Sequence, residues 1–313
     1  MPNWERLPIF EKRLRAIIGP DHFDAAWEGF SAERSVCIRI NTLKTTIEAA
    51  DTFLKSQSVE VLSHPSCSEA RILQGIEKRA VTDWEPTREG QFYIQSLSSM
   101  LATVALDPRP GERVLDLCAA PGSKTSHIGA RMENTGELFA TELVRNRYFR
   151  LRSVLDLMRV THAQALCKDA RRFMDADGFG RILVDAPCSS EGRIRFDDPD
   201  SYAYWSERKI KEMVHKQKGL VVHAARLLKP GGTLVYATCT SAPEENENVV
   251  SYLLKKSPDL QLLPPDIPSP PSSYPALNSW KGRDFHPDTE HCLRIMPGPL
   301  TDGFFIAKFQ KTA

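Results

Sequence analysis

From Gly111 onward, two rhythms of apolar and polar positions take turns along the chain. RVLDLCAAPG is an apolar run closed by a tight turn, which predicts a buried strand, and SKTSHIGARM has the spacing of a helix with one apolar face. GELFATEL then predicts a second strand, RNRYFRLRSVLDLM a second helix, AQALCKDA a third strand and GRILVDAPC a fourth. A long helix through KIKEMVHKQKGLVVHAARLL leads by the turn KPGG into the strand GTLVYATC. Strands and helices in this order make right-handed crossovers, so the predicted class is α/β: a mostly parallel sheet with helices on both faces.

Two flanking regions break the rhythm. Before about residue 90, WERLPIFEKRLRAIIG and FDAAWEGF predict helices, CIRIN a strand and IEAADTFLKSQ another helix, which makes a small α+β unit. The expected division is 1–88 and 89–313, with the turn-rich EPTREGQ near the boundary. After the helix NENVVSYLLKKS, the prolines of LLPPDIPSPPSSYP remove backbone donors, which predicts a surface loop. CLRIMPGPLTDGFFIAKFQ predicts an antiparallel hairpin closing the sheet edge.

Composition narrows the class without naming it. With 313 residues, 41% of them hydrophobic, there is material for a large core and two domains. A formal net charge of +1 carries no global mark of a nucleic-acid binder, so any such surface must be local. No segment approaches the ~20 apolar residues of a membrane span, and the charged N-terminus lacks the core of a secretory signal. Seven cysteines without close pairs fit free thiols in a reducing compartment, which gives a cytoplasmic protein, with monomer as the default.

The segment LDLCAAPGSKT sits where the first strand turns into a helix, and its small residues let a ligand approach the backbone. Glu142 closes the second strand at the distance where a carboxylate accepts ribose hydroxyls, and Asp169 and Asp185 close the third and fourth. The turn is neither GxGxxG nor GxxxxGK[ST], so an adenosine ligand without a pyrophosphate suits it, S-adenosylmethionine being the commonest. The alternative is that Glu142 and Asp169 only cap strand ends and that Lys124 is an exposed first-turn lysine.

Cys188 ends the fourth strand and Cys239 the fifth, so right-handed crossovers bring the two thiols to neighbouring strand ends beside Asp185. Cys37, Cys67, Cys118, Cys167 and Cys292 are expected to be small buried apolar residues. No CxxC spacing supports a structural zinc, so no metal is expected. Ser241-x-x-Glu244, with Pro243, reads as a capping box, and the dipole of the helix it starts would favour thiolate at Cys239. A thiolate is the natural group to add to carbon 6 of a pyrimidine and so make carbon 5 nucleophilic, while Asp185 is suited to stabilise the adduct at ring nitrogen 3.

Taken together, CAAPGSK, DAPCSSEG and ATCTSAPEENE closely resemble the Sun/Nop family of RNA 5-methylcytosine methyltransferases. The resemblance runs from about Ile38 to the end and includes CIRINTLK, GQFYIQSLSSM and LRIMPGPLTDGFFIAKF. It implies a class I methyltransferase Rossmann-like fold and an RNA-binding N-terminal unit. It also implies S-adenosylmethionine held by Cys118, Ala119, Ala120, Pro121, Gly122, Ser123, Lys124, Glu142, Asp169 and Asp185. Cys239 becomes the nucleophile and Cys188 the thiol that helps release product, with Asp185 and Lys124 beside them. Thr240 stands where the family more often has serine, a hydroxyl-for-hydroxyl departure.

The expected partner is RNA, ribosomal ahead of transfer. Its local basic surface is Arg145, Arg147, Arg150, Arg152 and Arg159 with Lys168, Arg171 and Arg172, for which a solvated helix face is the alternative. Arg39, Asn41 and Lys44 join it through the resemblance alone. Arg193 and Arg195 either line the substrate cleft or pair with Asp197, Asp198 and Asp200. Two rivals stay open. An amino-group methyltransferase needs an Asn/Asp-Pro-Pro-aromatic tetrapeptide where this chain has DAPC, and a non-catalytic RNA-binding or assembly factor would not need both thiols.

Overall fold

A computed structural model describes residues 6–268, 270 and 272–313; Trp4 and Glu5 of the first predicted helix, and two residues of the proline-rich loop, lie outside these. The chain opens with α1 (Arg6–Ile18) and α2 (Pro20–Gly29), followed by β1 (Val36–Ile40), α3 (Ile47–Ser56), β2 (Glu60–His64) and β3 (Cys67–Gln74). Short helices α4 (Lys78–Asp83) and α5 (Glu85–Arg88) lead to β4 (Phe92–Ile94). The four strands form an antiparallel sheet in the order β2-β3-β1-β4, so a strand beyond residue 88 completes it. Thr46 caps α3 by accepting the Ala49 N–H, and the helix buries Ala50 and Leu54 against Ile38, Ile40 and Leu73.

Strands β2 and β3 carry no period-two signal. β2 is largely exposed, and β3 places Glu69 and Arg71 at buried positions where the pattern rule expects apolar residues. The first two helices pack away from this sheet. Phe10, Leu14, Phe23 and Phe30 form an aromatic-rich cluster with Ile194, Tyr202, Trp205 and Met296, all from the second half of the chain.

The large sheet follows α6 (Leu97–Leu106). Its elements are β5 (Arg113–Asp116), α7 (Ser123–Arg131), β6 (Glu137–Thr141), α8 (Arg145–Leu157), β7 (Ala163–Leu166), β8 (Phe179–Asp185), α9 (Glu207–Leu227) and β9 (Leu228–Thr238). Then come α10 (Glu247–Lys256), β10 (Leu260–Leu263), β11 (Ser273–Tyr274), the small ribbon β12 (Ser279–Trp280) and β13 (Arg283–Asp284), β14 (Leu293–Ile295) and β15 (Phe304–Lys311). Strand order is β11-β14-β15-β9-β8-β5-β6-β7, with β10 also on β15. β7, β6, β5, β8 and β9 run parallel, and β15 is antiparallel to β9. The terminal hairpin forms as expected, but β15 lies inside the sheet, between β9 on one side and β14 and β10 on the other.

Alternation along β9 shows how the two faces are filled. Leu234 and Tyr236 join a core with Ile182, Val221, Leu253 and Phe305, while Val235 and Ala237 join one with Leu101, Ile128, Leu151 and Ile306.

The CIRINTLK segment corrects an expectation. Arg39 is fully buried; its Nε donates to Gln95 Oε1 (3.0 Å) and its Nη2 to Ser126 Oγ on α7 (2.7 Å). Buried Asn41 donates through Nδ2 to the carbonyls of Gly90 (2.8 Å) and Met158 (2.9 Å), and Lys44 Nζ reaches the Leu157 carbonyl at 3.3 Å. Glu69 of β3 adds a hydrogen bond with the buried His127 ring (3.1 Å) and an ion pair with Arg131 (2.8 Å), both on α7. Buried Arg39 and Asn41 therefore join the small sheet to α7 and the end of α8 rather than facing an RNA, while Lys44 stays exposed at the surface.

Candidate active site

The parallel strands end along one cleft of about 1040 Å³. Leu117, Cys118, Ala120, Pro121, Ser123 and Lys124 line it from the β5–α7 turn, Glu142 just after β6, Asp169 after β7, Asp185 at the end of β8 and Cys188 beyond it. Cys239 lines it beyond β9. Of the residues expected to hold a cofactor, Ala119 and Gly122 do not line the cleft. Gly122 sits at the N-cap of α7 with φ 113°, where a Cβ would lie 3.1 Å from Val154 and 3.2 Å from Leu151, so glycine lets α7 and α8 close on the turn. Tyr93 of β4, Gln95 just after it and Lys78 at the start of α4 also line the cleft.

The carboxylates differ in how far the protein already satisfies them. Buried Glu142 accepts the Val144 N–H (2.8 Å) and pairs with Arg147 (3.3 Å). Asp169 accepts three donors from Arg171, among them Nη2 at 2.7 Å, and these hold its carboxyl below the usual range. Asp169 thus caps the 3-10 turn Ala170–Arg172 rather than the end of a strand, and it also lines the cleft. Asp185 Oδ2 accepts Lys124 Nζ at 2.6 Å, and that ammonium lies 5.4 Å from the centre of the Phe304 ring. Lys124 is thus a buried site residue and not an exposed first-turn lysine.

The thiols of Cys188 and Cys239 lie 3.2 Å apart. β8 and β9 are parallel neighbours in register, Asp185 opposite Ala237, and the loops leaving them run side by side. The Gly192 N–H bonds the Cys239 carbonyl (3.0 Å) and Ser189 Oγ meets Thr240 Oγ1 (2.8 Å). The hydrogen bond shared with Cys188 draws the Cys239 thiol down to about 7 against its burial, with Ser190 Oγ and Arg193 acting the same way. The same bond, together with burial and Glu245, pushes Cys188 well up. The shared bond favours one thiol and one thiolate in the pair, and Ser190 Oγ, 3.6 Å from Cys239 Sγ, adds a hydrogen-bonding partner on the Cys239 side. Of the remaining cysteines, Cys37, Cys67 and Cys292 are buried as expected; Cys118 is half-buried in the cleft wall, and Cys167 is exposed, at a strand end rather than in the core.

The acidic run after Cys239 is not a capping box. Ser241 Oγ donates to Glu191 Oε2 (2.7 Å), Glu244 forms an ion pair with Arg13 of α1, and α10 begins only at Glu247, so the expected dipole support for the Cys239 thiolate is lost. Each glutamate is an anchor. Glu245 accepts the Ser189 N–H (3.0 Å) and Gln217 Nε2 (2.7 Å), while Glu247 is held by buried Arg294, whose Nη2 donates at 2.5 Å. Glu191, fully buried, accepts Thr240 Oγ1 (3.0 Å) and Trp205 Nε1 (3.0 Å), with Arg13 Nε at 3.5 Å. Sequence reasoning missed Glu191 and Ser190, whose one signal is their place within DAPCSSEG.

The basic side chains of α8 and its surroundings, Arg145, Arg147, Arg150, Arg152, Arg159, Lys168, Arg171 and Arg172, are exposed, and Arg147 and Arg171 reach the cleft. Arg193 also lines the cleft, whereas Arg195 pairs with Asp197 at 3.0 Å. Among the described residues no helix is long and apolar enough to cross a membrane.

Comparison with known proteins agrees with this geometry. Residues 103–310 match the family model described as 16S rRNA methyltransferase RsmB/F. A tRNA (cytosine(49)-C(5))-methyltransferase of Pyrococcus abyssi is 41% identical over 224 residues, 71% of each chain. The ribosomal RNA small subunit methyltransferase F of Cronobacter sakazakii is 34% identical over 314 residues, covering 98% of this chain but 62% of its own length. A methyltransferase homolog protein from Pyrococcus horikoshii superposes with a TM-score of 0.83 at 30% identity, covering 96% of this chain and 93% of that one. The protein belongs to the RsmB/F family of RNA methyltransferases, the Sun/Nop group that its thiol motifs resemble.

Proposed function

We propose that this chain transfers the methyl group of S-adenosylmethionine to carbon 5 of a cytosine in ribosomal or transfer RNA, with Cys239 as the covalent nucleophile. The observation that carries this is the pair of sulfurs 3.2 Å apart, lining with Asp185 the same cleft as the β5–α7 turn and Glu142. The residues present fit the cofactor: a buried carboxylate for ribose hydroxyls, the amino end of α7 beside the turn, and apolar Leu143 and Val144 next to Glu142. When bound, it supplies an electrophilic methyl group.

The chain's own residues do the rest. Cys239 thiolate adds to carbon 6, forming the S–C bond, and ring nitrogen 3, where negative charge develops, takes a proton that Lys124 passes through Asp185. Methylated carbon 5 then loses its proton to water, ring nitrogen 3 gives its proton back through Asp185, and the S–C bond breaks to return the Cys239 thiolate, which the Cys188 thiol 3.2 Å away stabilises with a hydrogen bond. The exposed arginines of α8 neutralise RNA backbone charge.

In the division of labour that follows, residues 1–88 make the RNA-binding unit and 89–313 the methyltransferase unit, with β4 lending a strand back to the first. Action as a monomer and without a metal belongs to the same proposal, in which the two thiols and the carboxylate that carry the reaction all come from this chain. Seven unpaired cysteines support a cytoplasmic location.

The test is methyl transfer from radiolabelled S-adenosylmethionine to unmodified ribosomal and transfer RNA, followed by nucleoside analysis. Label is expected in 5-methylcytidine and absent with Cys239→Ala. Label in an amino-methylated base, or persistence of 5-methylcytidine in the variant, would refute the assignment.

A further inference from the structure

We propose that Ser190 is a third reacting-site residue, its hydroxyl donating a hydrogen bond to Cys239 whenever that sulfur is anionic. The proposal rests on Cys239 being the nucleophile. Ser190 lies in the cleft wall, two residues after Cys188 on the same loop, with Oγ 3.6 Å from Cys239 Sγ. The neighbouring hydroxyl is not available for this, since Ser189 Oγ is engaged with Thr240 Oγ1 at 2.8 Å.

The backbone supplies an independent observation. Ser190 has φ 61° and ψ 29°, a left-handed conformation that glycine adopts freely and a residue with a Cβ adopts at a cost. Such a residue persists where its surroundings fix it, and here they do. The Ser189 N–H is held by Glu245, the Ser190 carbonyl accepts the Arg193 N–H (3.0 Å), and the next residues are clamped where Gly303 N–H meets the Gly192 carbonyl (2.9 Å). Glycine would suit the turn better; what serine adds is a hydroxyl aimed at Cys239.

A hydroxyl can turn to accept from a thiol or donate to a thiolate. It therefore stabilises the sulfur twice, before it adds to carbon 6 and again as it leaves, while keeping its own proton. The other groups facing Cys239 are Asp185 at the end of β8 and Cys188 beyond it, with Lys124 behind Asp185, and Arg193 in the turn after Ser190. Cys188 and Arg193 favour the thiolate and Asp185 opposes it, so Ser190 tips a balance among charges already present.

The experiment measures iodoacetamide alkylation of Cys239 in the full chain, followed on its own peptide by mass spectrometry from about pH 5.5 to 9, for the parent, Ser190→Gly and Ser190→Ala. Loss of one hydrogen bond to an anion moves the inflection up by about one pH unit, so alkylation at neutral pH falls roughly fivefold to tenfold in both variants. Thermal stability should split them, with glycine relieving the strained backbone and alanine retaining it, so a common shift in reactivity belongs to the hydroxyl. An unmoved inflection in both variants, or a shift in only one, overturns the proposal. A shifted inflection in a protein that fails to trap a 5-azacytidine RNA would instead overturn the nucleophile assignment and leave the Ser190–Cys239 bond standing.

Discussion

Replacing Arg39 by methionine separates a join between two sheets from a grip on RNA. The guanidinium is fully buried and makes two well-formed bonds, to Gln95 at 3.0 Å and Ser126 at 2.7 Å. Hydrogen bonds from a charged donor contribute about 1.5–3 kcal/mol each. Methionine removes both and leaves two polar partners to re-pair, but it also removes the cost of holding a cation out of water, a cost seen in the fall of the Arg39 pKa to about 10 through burial. The net expected loss is ~2–4 kcal/mol, a fall in melting temperature on the order of 5 °C. The decisive comparison is the salt dependence of RNA binding measured by anisotropy. If Arg39 neutralised an RNA phosphate, its removal would lower the slope of log affinity against log salt by about 1, whereas breaking an interior join leaves the slope unchanged. An unchanged melting temperature with a reduced slope would refute the reasoning and return Arg39 to the RNA surface.

Two further outcomes follow from the thiol loops. Burial raises the Glu245 carboxyl from 4.5 to about 8, so between those values the folded chain holds a proton that the unfolded chain has lost, and stability declines as pH rises through the window. Glu245→Gln should flatten that decline, gaining ~1–3 kcal/mol over the parent at pH 8; parallel stability profiles from denaturant titrations would contradict it. Cys188→Ala should leave enzyme covalently attached to its substrate RNA, visible as a retarded band on a denaturing gel, and only free enzyme on that gel would count against Cys188 as the releasing thiol.

How much of this could be read in the chain depended on how local its causes are. The strands after Gly111 were legible because each is a short apolar run ended by its own turn, and the meeting of Cys188 with Cys239 followed from crossover handedness alone. Strands β2 and β3 were not, because Glu69 and Arg71 occupy interior positions that only partners on other elements, Arg131 and Asp51, make tolerable. Arg39 and Asn41 were assigned to RNA by the resemblance alone, and only the elements that cover them, α7 and the end of α8, show that they bond within the fold. The acidic segment gave a local explanation, a helix cap, where the fold supplies distant ones in Arg13, Gln217 and Arg294.

The central claim is that Cys239 attacks a cytosine beside the methyl donor, and an RNA substrate carrying 5-azacytidine tests it most directly, because nitrogen at position 5 blocks the proton loss that frees the enzyme. The account predicts a stable adduct that depends on S-adenosylmethionine and maps by mass spectrometry to Cys239. An adduct on Cys188, or none with RNA that the enzyme otherwise methylates, would contradict it.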